Sequence, residues 1–295
     1  MWLFDKWNRL SMPKRALYRR LLKCADVVTT QSPEDLKVAR AILADQPAEC
    51  ILSGGAVEWM SPPREAPNHR PLHLVSLGND MHRDWETLLQ AVGGRNEYEL
   101  VIATGKLPRK LLRNASNVKV VNAKTAAEVR CLYRWADVVV VPLKYNRHAS
   151  GITVVFEATI SGVPVVVTDT GGLRAYFSDA EVSYVPLNRI DEMRRTFDYL
   201  ASDRQLCVEM VAKAQSRMLA NELTKQGYAS RHRKLTEQLL RREESFSRLP
   251  SGADTSAGTD PLIQQQVKVF VFLGYGFGAD DWRDRYERGL IPGLN

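Results

Sequence analysis

The sequence predicts an α/β protein, a parallel sheet with helices on both faces. Three observations carry that prediction. Short, continuously apolar runs rich in β-branched residues recur through the middle of the chain, helical patterns separate them, and small-residue turns stand where two of the runs end. A strand that is apolar at every position must be covered on both sides, and a helix between successive strands is the usual parallel crossover.

The strand candidates are LHLVSL (72–77), ELVIAT (99–104), NVKVV (117–121), DVVVVPL (137–143), PVVVT (164–168) and VSYV (182–185). Between them lie the helical patterns DWETLLQAV (84–92), AAEVRCLYRWA (126–136) and TVVFEATIS (153–161). From Ile190 to about Arg242 the pattern is helical almost throughout, in amphipathic pieces that would close the domain. Residues 12–53 hold two further helix patterns and two strand patterns, DVVTT and CILS. Within them SPEDL is a helix start, with Ser32 as N-cap, Pro33 at the first position and acids in the first turn. Two strands are too few for an independent domain.

Residues 242–266, rich in Ser, Gly, Pro, Asp and Thr, read as a flexible linker. Residues 267–295 read as an isolated strand and a glycine-rich turn.

Composition narrows the function classes. The chain has 295 residues, 44% of them hydrophobic, and a formal charge of +7, which favours anionic partners. The positive charge is dispersed and no aromatic-basic platform stands out, so nucleic acid is not the expected partner. Four scattered cysteines, Cys24, Cys50, Cys131 and Cys207, suggest neither a zinc site nor a disulfide framework. No apolar run approaches the roughly 20 residues of a membrane span and no secretory signal pattern opens the chain, so a cytoplasmic location is expected. The opening MWLFDKWNRLSMPKRALYRRLLK admits two readings. Trp2, Phe4 and Trp7 beside a basic run would suit an anionic inner membrane face, or the aromatics are core residues.

The chemistry concentrates in RHASGITVVFEATISGVPVVVTDTGGL (147–173). In an open parallel sheet, ligands bind beyond the carboxyl ends of the strands. There the helix beginning near Gly151 presents unpaired amides, and Ser150 and Gly151 offer little bulk, so a diphosphate could approach closely. Glu157, about two turns in, suits a ribose diol. Gly171 and Gly172 end the next strand with amides that no side chain obstructs.

This run resembles the donor-binding signature of retaining glycosyltransferases of the GT-B fold, family 4 (glycosyl transferases group 1). The shared elements are Glu157-Ala158, Ser161-Gly162, Pro164-Val165-Val166 and Gly171-Gly172. Upstream, LVSLGNDMHRDWETLLQAV resembles the first strand and phosphate loop of the same Rossmann-like domain, and LYRWADVVVVPL the strand leading into the signature. The resemblance covers roughly residues 20–240. It implies residues 57–241 as the nucleotide-sugar-binding domain, the C-terminal domain of a GT-B fold. Residues 1–56 would then be a remnant of the N-terminal acceptor domain with the interdomain crossing, and 267–295 resembles the start of a further glycosyltransferase domain.

By the same resemblance Glu157 would bind the ribose, Ser150, Gly151 and Ile152 the diphosphate, and Gly171 and Gly172 the donor sugar. Arg83, with Asn79 beside it, is the candidate phosphate-neutralising cation, and Lys106 and Arg147 are alternatives. The signature's first acid falls on Ala149, and the usual Arg after the first-strand glycine is Asn79. The implied activity is hexosyl transfer from a nucleotide-diphosphate sugar, with retention and with neither cofactor nor metal, to a carbohydrate or lipid-linked acceptor. The alternative is a non-catalytic nucleotide-sugar-binding module completed by a partner chain. No catalytic residue is assigned. The plainer readings are a Glu157 turned to solvent, an Arg83 in a surface ion pair with Asp84 or Glu86, and His82 and His148 as solvated loop histidines.

Overall fold

The computed structural model describes residues 3–65, 70–113 and 115–247, with side chains as far as residue 241, and a short strand at 269–270. The chain runs α1 (Leu3–Lys6), α2 (Met12–Leu22), β1 (Val27–Thr30), α3 (Pro33–Ile42), β2 (Ala48–Cys50), β3 (Leu72–Leu77), α4 (Trp85–Val92), β4 (Tyr98–Ala103), β5 (Val118–Val121), α5 (Ala126–Trp135) and β6 (Val138–Val141). It continues through α6 (Ile152–Ile160), β7 (Val165–Thr168), β8 (Ser183–Val185), α7 (Ile190–Ser202), α8 (Arg204–Ala220), α9 (Lys225–Ser247) and β9 (Val269–Phe270).

Six strands form one parallel sheet in the order β5-β4-β3-β6-β7-β8. Counted from β3 this is the doubly wound order 3-2-1-4-5-6, so the direction of winding reverses between β3 and β6. Alternate side chains of each strand enter separate cores, which explains the unbroken apolar runs. Leu74, Ile102, Val138, Val140 and Val166 meet Leu88 and Val92 of α4 and Met193 and Phe197 of α7 on one face. Val75, Val139, Val141, Val165 and Val167 meet Tyr133 of α5, Ile152 and Phe156 of α6 and Met218 of α8 on the other.

Helix starts carry local signals. Ser32 caps α3 by accepting from the Asp35 amide at 3.0 Å, with Pro33 at the first position. Thr125 and Glu128 form a capping box at α5. Asp84 caps α4, and Asp203 caps α8.

The small unit holds a second parallel sheet, β2-β1-β9. Phe4 and Trp7 are buried with Leu22, Val28, Ala39 and Leu43, so these two aromatics are core residues; Trp2 lies outside the described residues. Three expectations need correcting. The strand expected at CILS lies at 48–50, because the ladder with β1 pairs Val28 with Ala48 and Thr30 with Cys50. The strand expected to be isolated within 267–295 pairs with β1, Val27 with Val269 and Val28 with Phe270. The linker expected at 242–266 is helical where it is described, since α9 runs to Ser247; residues 248–268 and 271–295 lie outside the described residues.

The end of the 57–241 segment also returns to the small unit. Leu235 and Leu239 of α9 pack against Val27 and Ile51, and Arg231 donates to the Leu52 carbonyl at 2.8 Å. Among the described residues no helix is long and apolar enough to cross a membrane.

Phe197 is fully buried against Tyr98, ring centroids 5.8 Å apart. Phe197→Ala leaves a cavity between α7 and the sheet and is expected to cost about 3–5 kcal/mol, read as a lower urea midpoint at unchanged slope.

Candidate functional site

The loops after β3 and β6 meet where the winding reverses, and they bring together most of the residues singled out by sequence. The β3 loop supplies Asn79, Asp80, His82 and Arg83; the β6 loop supplies Asn146 to Gly151 and leads into α6.

Arg83 lies at the centre. It is 5% exposed, and its Nε donates to the Leu77 carbonyl at 2.9 Å. Two glycines make room for its guanidinium. A Cβ on Gly78 would lie 2.3 Å from Arg83 Nε, and one on Gly151 would lie 3.0 Å from a terminal nitrogen. Both glycines have positive φ, 141° and 82°, conformations that glycine adopts at little cost. The cation therefore sits beneath the first turn of α6, whose N-cap, Gly151, contributes no side-chain hydrogen bond. The surface ion pair with Asp84 or Glu86 is excluded by this burial, and Asp84 is engaged with Thr87.

Ser150 Oγ donates to Asp80, whose other oxygen accepts from the His82 amide at 2.6 Å. Burial alone would raise the Asp80 carboxyl. The bonds from His82 and Ser150 and the charge of Arg83 outweigh that and hold it well below the usual carboxylate range. The Ser150 and Ile152 amides bond back to the carbonyls of His148 and Ala149, at 2.9 and 3.2 Å, and Ile152 is 1% exposed. Those two amides thus close the turn. The Ser150 hydroxyl, Asp80 and the α6 terminus lie beside Arg83.

Asn79 accepts from the Thr104 hydroxyl and the Gly105 amide, at 2.9 and 2.8 Å, and ties the β3 loop to the end of β4. Lys106 is exposed on that neighbouring loop. Arg147 turns away toward α1, its amide donating to Asp5 at 2.7 Å and its guanidinium to the Phe4 carbonyl at 3.4 Å.

Glu157 is half-buried rather than turned to solvent, and accepts from the Tyr133 hydroxyl at 2.7 Å. Burial raises its carboxyl, against smaller lowering effects of Tyr133 and Lys225. Tyr133 is raised well above the ordinary phenol range by burial and by the Glu157 charge.

Gly171, at φ 66°, lies where a Cβ would strike the His148 carbonyl at 2.3 Å and Asn146 Oδ1 at 2.6 Å. Gly172 packs on Ser32, and its would-be Cβ lies 3.2 Å from Glu34 Oε2. The two-glycine turn is thus pressed against α3 of the small unit. Its Gly172 amide already reaches the His148 carbonyl at 3.4 Å.

Sequence reasoning missed the small unit's contribution. Asp5 of α1 bonds His148 Nδ1, and Ser32 donates to the Arg147 carbonyl at 2.8 Å. His82 and His148 pack edge to face with centroids 4.8 Å apart, and their side chains are 13% and 14% exposed. The reading of both as solvated loop histidines is therefore corrected. Glu34, Asp35 and Asn146 each hold a buried oxygen without a hydrogen-bond partner. The one available signal for Asp5 was an acid among aromatics that belong to a core.

With this geometry in place, the chain is similar to known proteins in one segment of its sequence and in its fold. Residues 82–217 match the family model for glycosyl transferases group 1. The fold is shared with the sucrose-phosphate synthase of Thermosynechococcus elongatus, at TM-score 0.67 and 19% identity over 82% of this chain and 66% of that one. It is shared with Anabaena HepE in complex with UDP-glucose, at TM-score 0.62 and 12% identity over 82% and 69%. It is shared also with WaaG, a glycosyltransferase involved in lipopolysaccharide biosynthesis, at TM-score 0.56 and 16% identity over 68% and 60%. No curated protein matches the chain by sequence. The chain spans about two thirds of the length of these structures. Its architecture is that of GT-B glycosyltransferases, and its segment 82–217 carries the pattern of glycosyl transferases group 1.

Asp35 gives a measurable handle on the site. It is 7% exposed, and burial together with the charge of Asp5 pushes its carboxyl up to about 7. A raised carboxyl keeps its proton in the folded chain after the unfolded chain has lost it. Stability attributable to this group is therefore greatest below the ordinary value of 3.8 and declines as pH rises toward 7. Asp35→Asn should gain stability relative to the parent across that window, by up to about 4 kcal/mol, in urea melts at pH 4.5 and 7.5.

Proposed function

We propose that the chain binds a nucleotide-diphosphate sugar at the loops after β3 and β6 and transfers the hexosyl group to a hydroxyl acceptor with retention. The observation that carries this reading is the buried Arg83 guanidinium under the first turn of α6, with the Ser150 hydroxyl beside it. A cation and a helix terminus converging on one spot stabilise the negative charge that builds on a departing diphosphate, so no metal is assigned to that step. Glu157 in this reading accepts from the ribose diol, which its capacity for several hydrogen bonds permits while it keeps Tyr133. Gly171 and Gly172 face the donor sugar through backbone atoms. HepE, solved with UDP-glucose, makes that compound the first donor to test.

A lipid-linked acceptor is favoured by α2. Leu17 and Leu21, one turn apart, are 55% and 54% exposed on a helix that also carries Lys14, Arg19 and Arg20. Such a face suits an anionic membrane surface. Leu17→Ser with Leu21→Ser is expected to reduce cosedimentation with anionic vesicles several-fold and to leave donor affinity unchanged.

A second reading is donor binding without transfer by this chain alone. It rests on the size of the small unit, which holds a three-stranded sheet among the described residues against six strands in the large one.

Calorimetry with a panel of UDP-, GDP- and ADP-sugars tests the donor site. We expect one donor to bind, UDP-glucose first, with at least a tenfold loss in Glu157→Ala and no dependence on added Mg2+. Transfer to lipid-extract acceptors supports the enzyme, donor binding without transfer supports the second reading, and absence of binding by every donor overturns both.

A further inference from the structure

Asp5, His82 and His148 come from three separate segments, α1, the β3 loop and the β6 loop. Each can offer one ligand atom, and the three atoms lie within 4.8 Å of one another. His82 Nε2 is 3.9 Å from Asp5 Oδ2, and His148 Nδ1 is hydrogen bonded to the same oxygen. Ligand atoms that share a tetrahedral ion at about 2.0–2.1 Å stand roughly 3.3 Å apart, so shifts on the order of 1 Å would bring all three onto one ion.

The surroundings are those of a metal site. The other ring nitrogen of His82, Nδ1, lies 3.2 Å from Asp80 Oδ1, the carboxylate–histidine arrangement that orients a ligating imidazole. The side chains of Asp5, His82 and His148 are 8%, 13% and 14% exposed. Acids gather on the small-unit side: Asp35 feels the charges of Asp5 and Glu34, with Arg147 among the cations opposing them, and Asp35 Oδ1 and Glu34 Oε2 are buried without a hydrogen-bond partner. On the other side Asp80 has Arg83.

We propose that Asp5, His82 and His148 bind one divalent ion of the zinc class, which pins α1 to the two loops that form the donor site. Two imidazoles and one carboxylate suit zinc and its borderline neighbours and not magnesium, which takes oxygen ligands. On binding, His148 takes the tautomer that carries its proton on Nε2, so that Nδ1 and Asp5 Oδ2 each donate a lone pair to the ion in place of the hydrogen bond between them, and any second proton on the ring passes to solvent. The ion's role is structural: Asp80, which orients His82, also accepts from Ser150, so the loop bearing that hydroxyl is fixed with it. This inference does not depend on the donor assignment, and its readout is metal binding rather than transfer.

The test is a competition titration of the EDTA-stripped full chain with Zn2+, followed by calorimetry and by the Co2+ visible spectrum. One equivalent should bind, with a tetrahedral Co2+ spectrum and a raised melting temperature. His82→Gln and His148→Gln should each weaken Zn2+ at least about 100-fold, and Asp80→Asn roughly 10-fold. His73→Gln, beside Glu99 and Asp137 at the opposite end of β3, should leave it unchanged. If a histidine variant fails to fold, the Co2+ spectrum and zinc-dependent melting of the parent still decide. Absence of saturable zinc binding, undiminished affinity in folded His148→Gln, or equal affinity for Mg2+ would overturn the assignment.

Discussion

The site depends on burying one guanidinium at the reversal of winding between β3 and β6. A buried cation is costly unless hydrogen bonds and opposite charge surround it. Here the Leu77 carbonyl and Asp80 meet that demand, and Gly78 and Gly151 give the space. Arg83 bears on both glycines. A Cβ at Gly78 would strike the guanidinium at 2.3 Å, one at Gly151 would strike Val141 Cγ1 at 2.5 Å and crowd the guanidinium at 3.0 Å, and both would have to adopt a positive φ. The β6 loop enters α6 without a side-chain cap, since a larger N-cap residue at Gly151 would run into Val141 and crowd Arg83.

The same guanidinium organises the loops around it. Asp80, held ionised, fixes Ser150 from one oxygen and the His82 amide from the other, so the β3 and β6 loops act as one piece. That piece is tied to the small unit by Asp5 and Ser32, and the two-glycine turn after β7 closes against Ser32. The small unit thus completes the wall of the site. Any motion of α1 or α3 relative to the large sheet must break charged or buried contacts made by the loops that would hold a donor.

The large sheet was legible in sequence because its strands are buried on both faces, a demand that leaves no polar alternation to confuse with a loop. The helices were legible through caps and apolar spacing, as at Ser32 and Thr125. What failed were relations between distant segments. Nothing in an amphipathic 225–241 says that Leu235 and Leu239 recross to Val27 and Ile51. Nothing in Asp5 says that it meets residues some 140 positions away. In the site, the residue types near the phosphate position were readable, but the roles of their atoms were not. The amides of Ser150 and Ile152 close the turn before α6, and Asn79 ties the β3 loop to the end of β4. Such assignments depend on φ and on carbonyl directions, which composition does not encode.

The distribution of charge favours a particular kind of ligand. The site sets a cation, Arg83 under α6 and beside Asp80, among acids of two elements, Glu157 on α6 and Glu34 of α3 across the Gly171-Gly172 turn. A ligand anionic throughout would be repelled by those carboxyls. A ligand neutral throughout would add no charge opposite the cation beyond that of Asp80. A diphosphate flanked by two hydroxyl-bearing rings satisfies both, because its charge meets Arg83 and its hydroxyls donate to acids that cannot donate in return when ionised. On the proposed reading, the loss of the signature's acid at Ala149 is then compensated across the cleft. Glu34 stands on the Gly172 side of the turn with an unpaired oxygen, and it comes from the small unit rather than from the β6 loop.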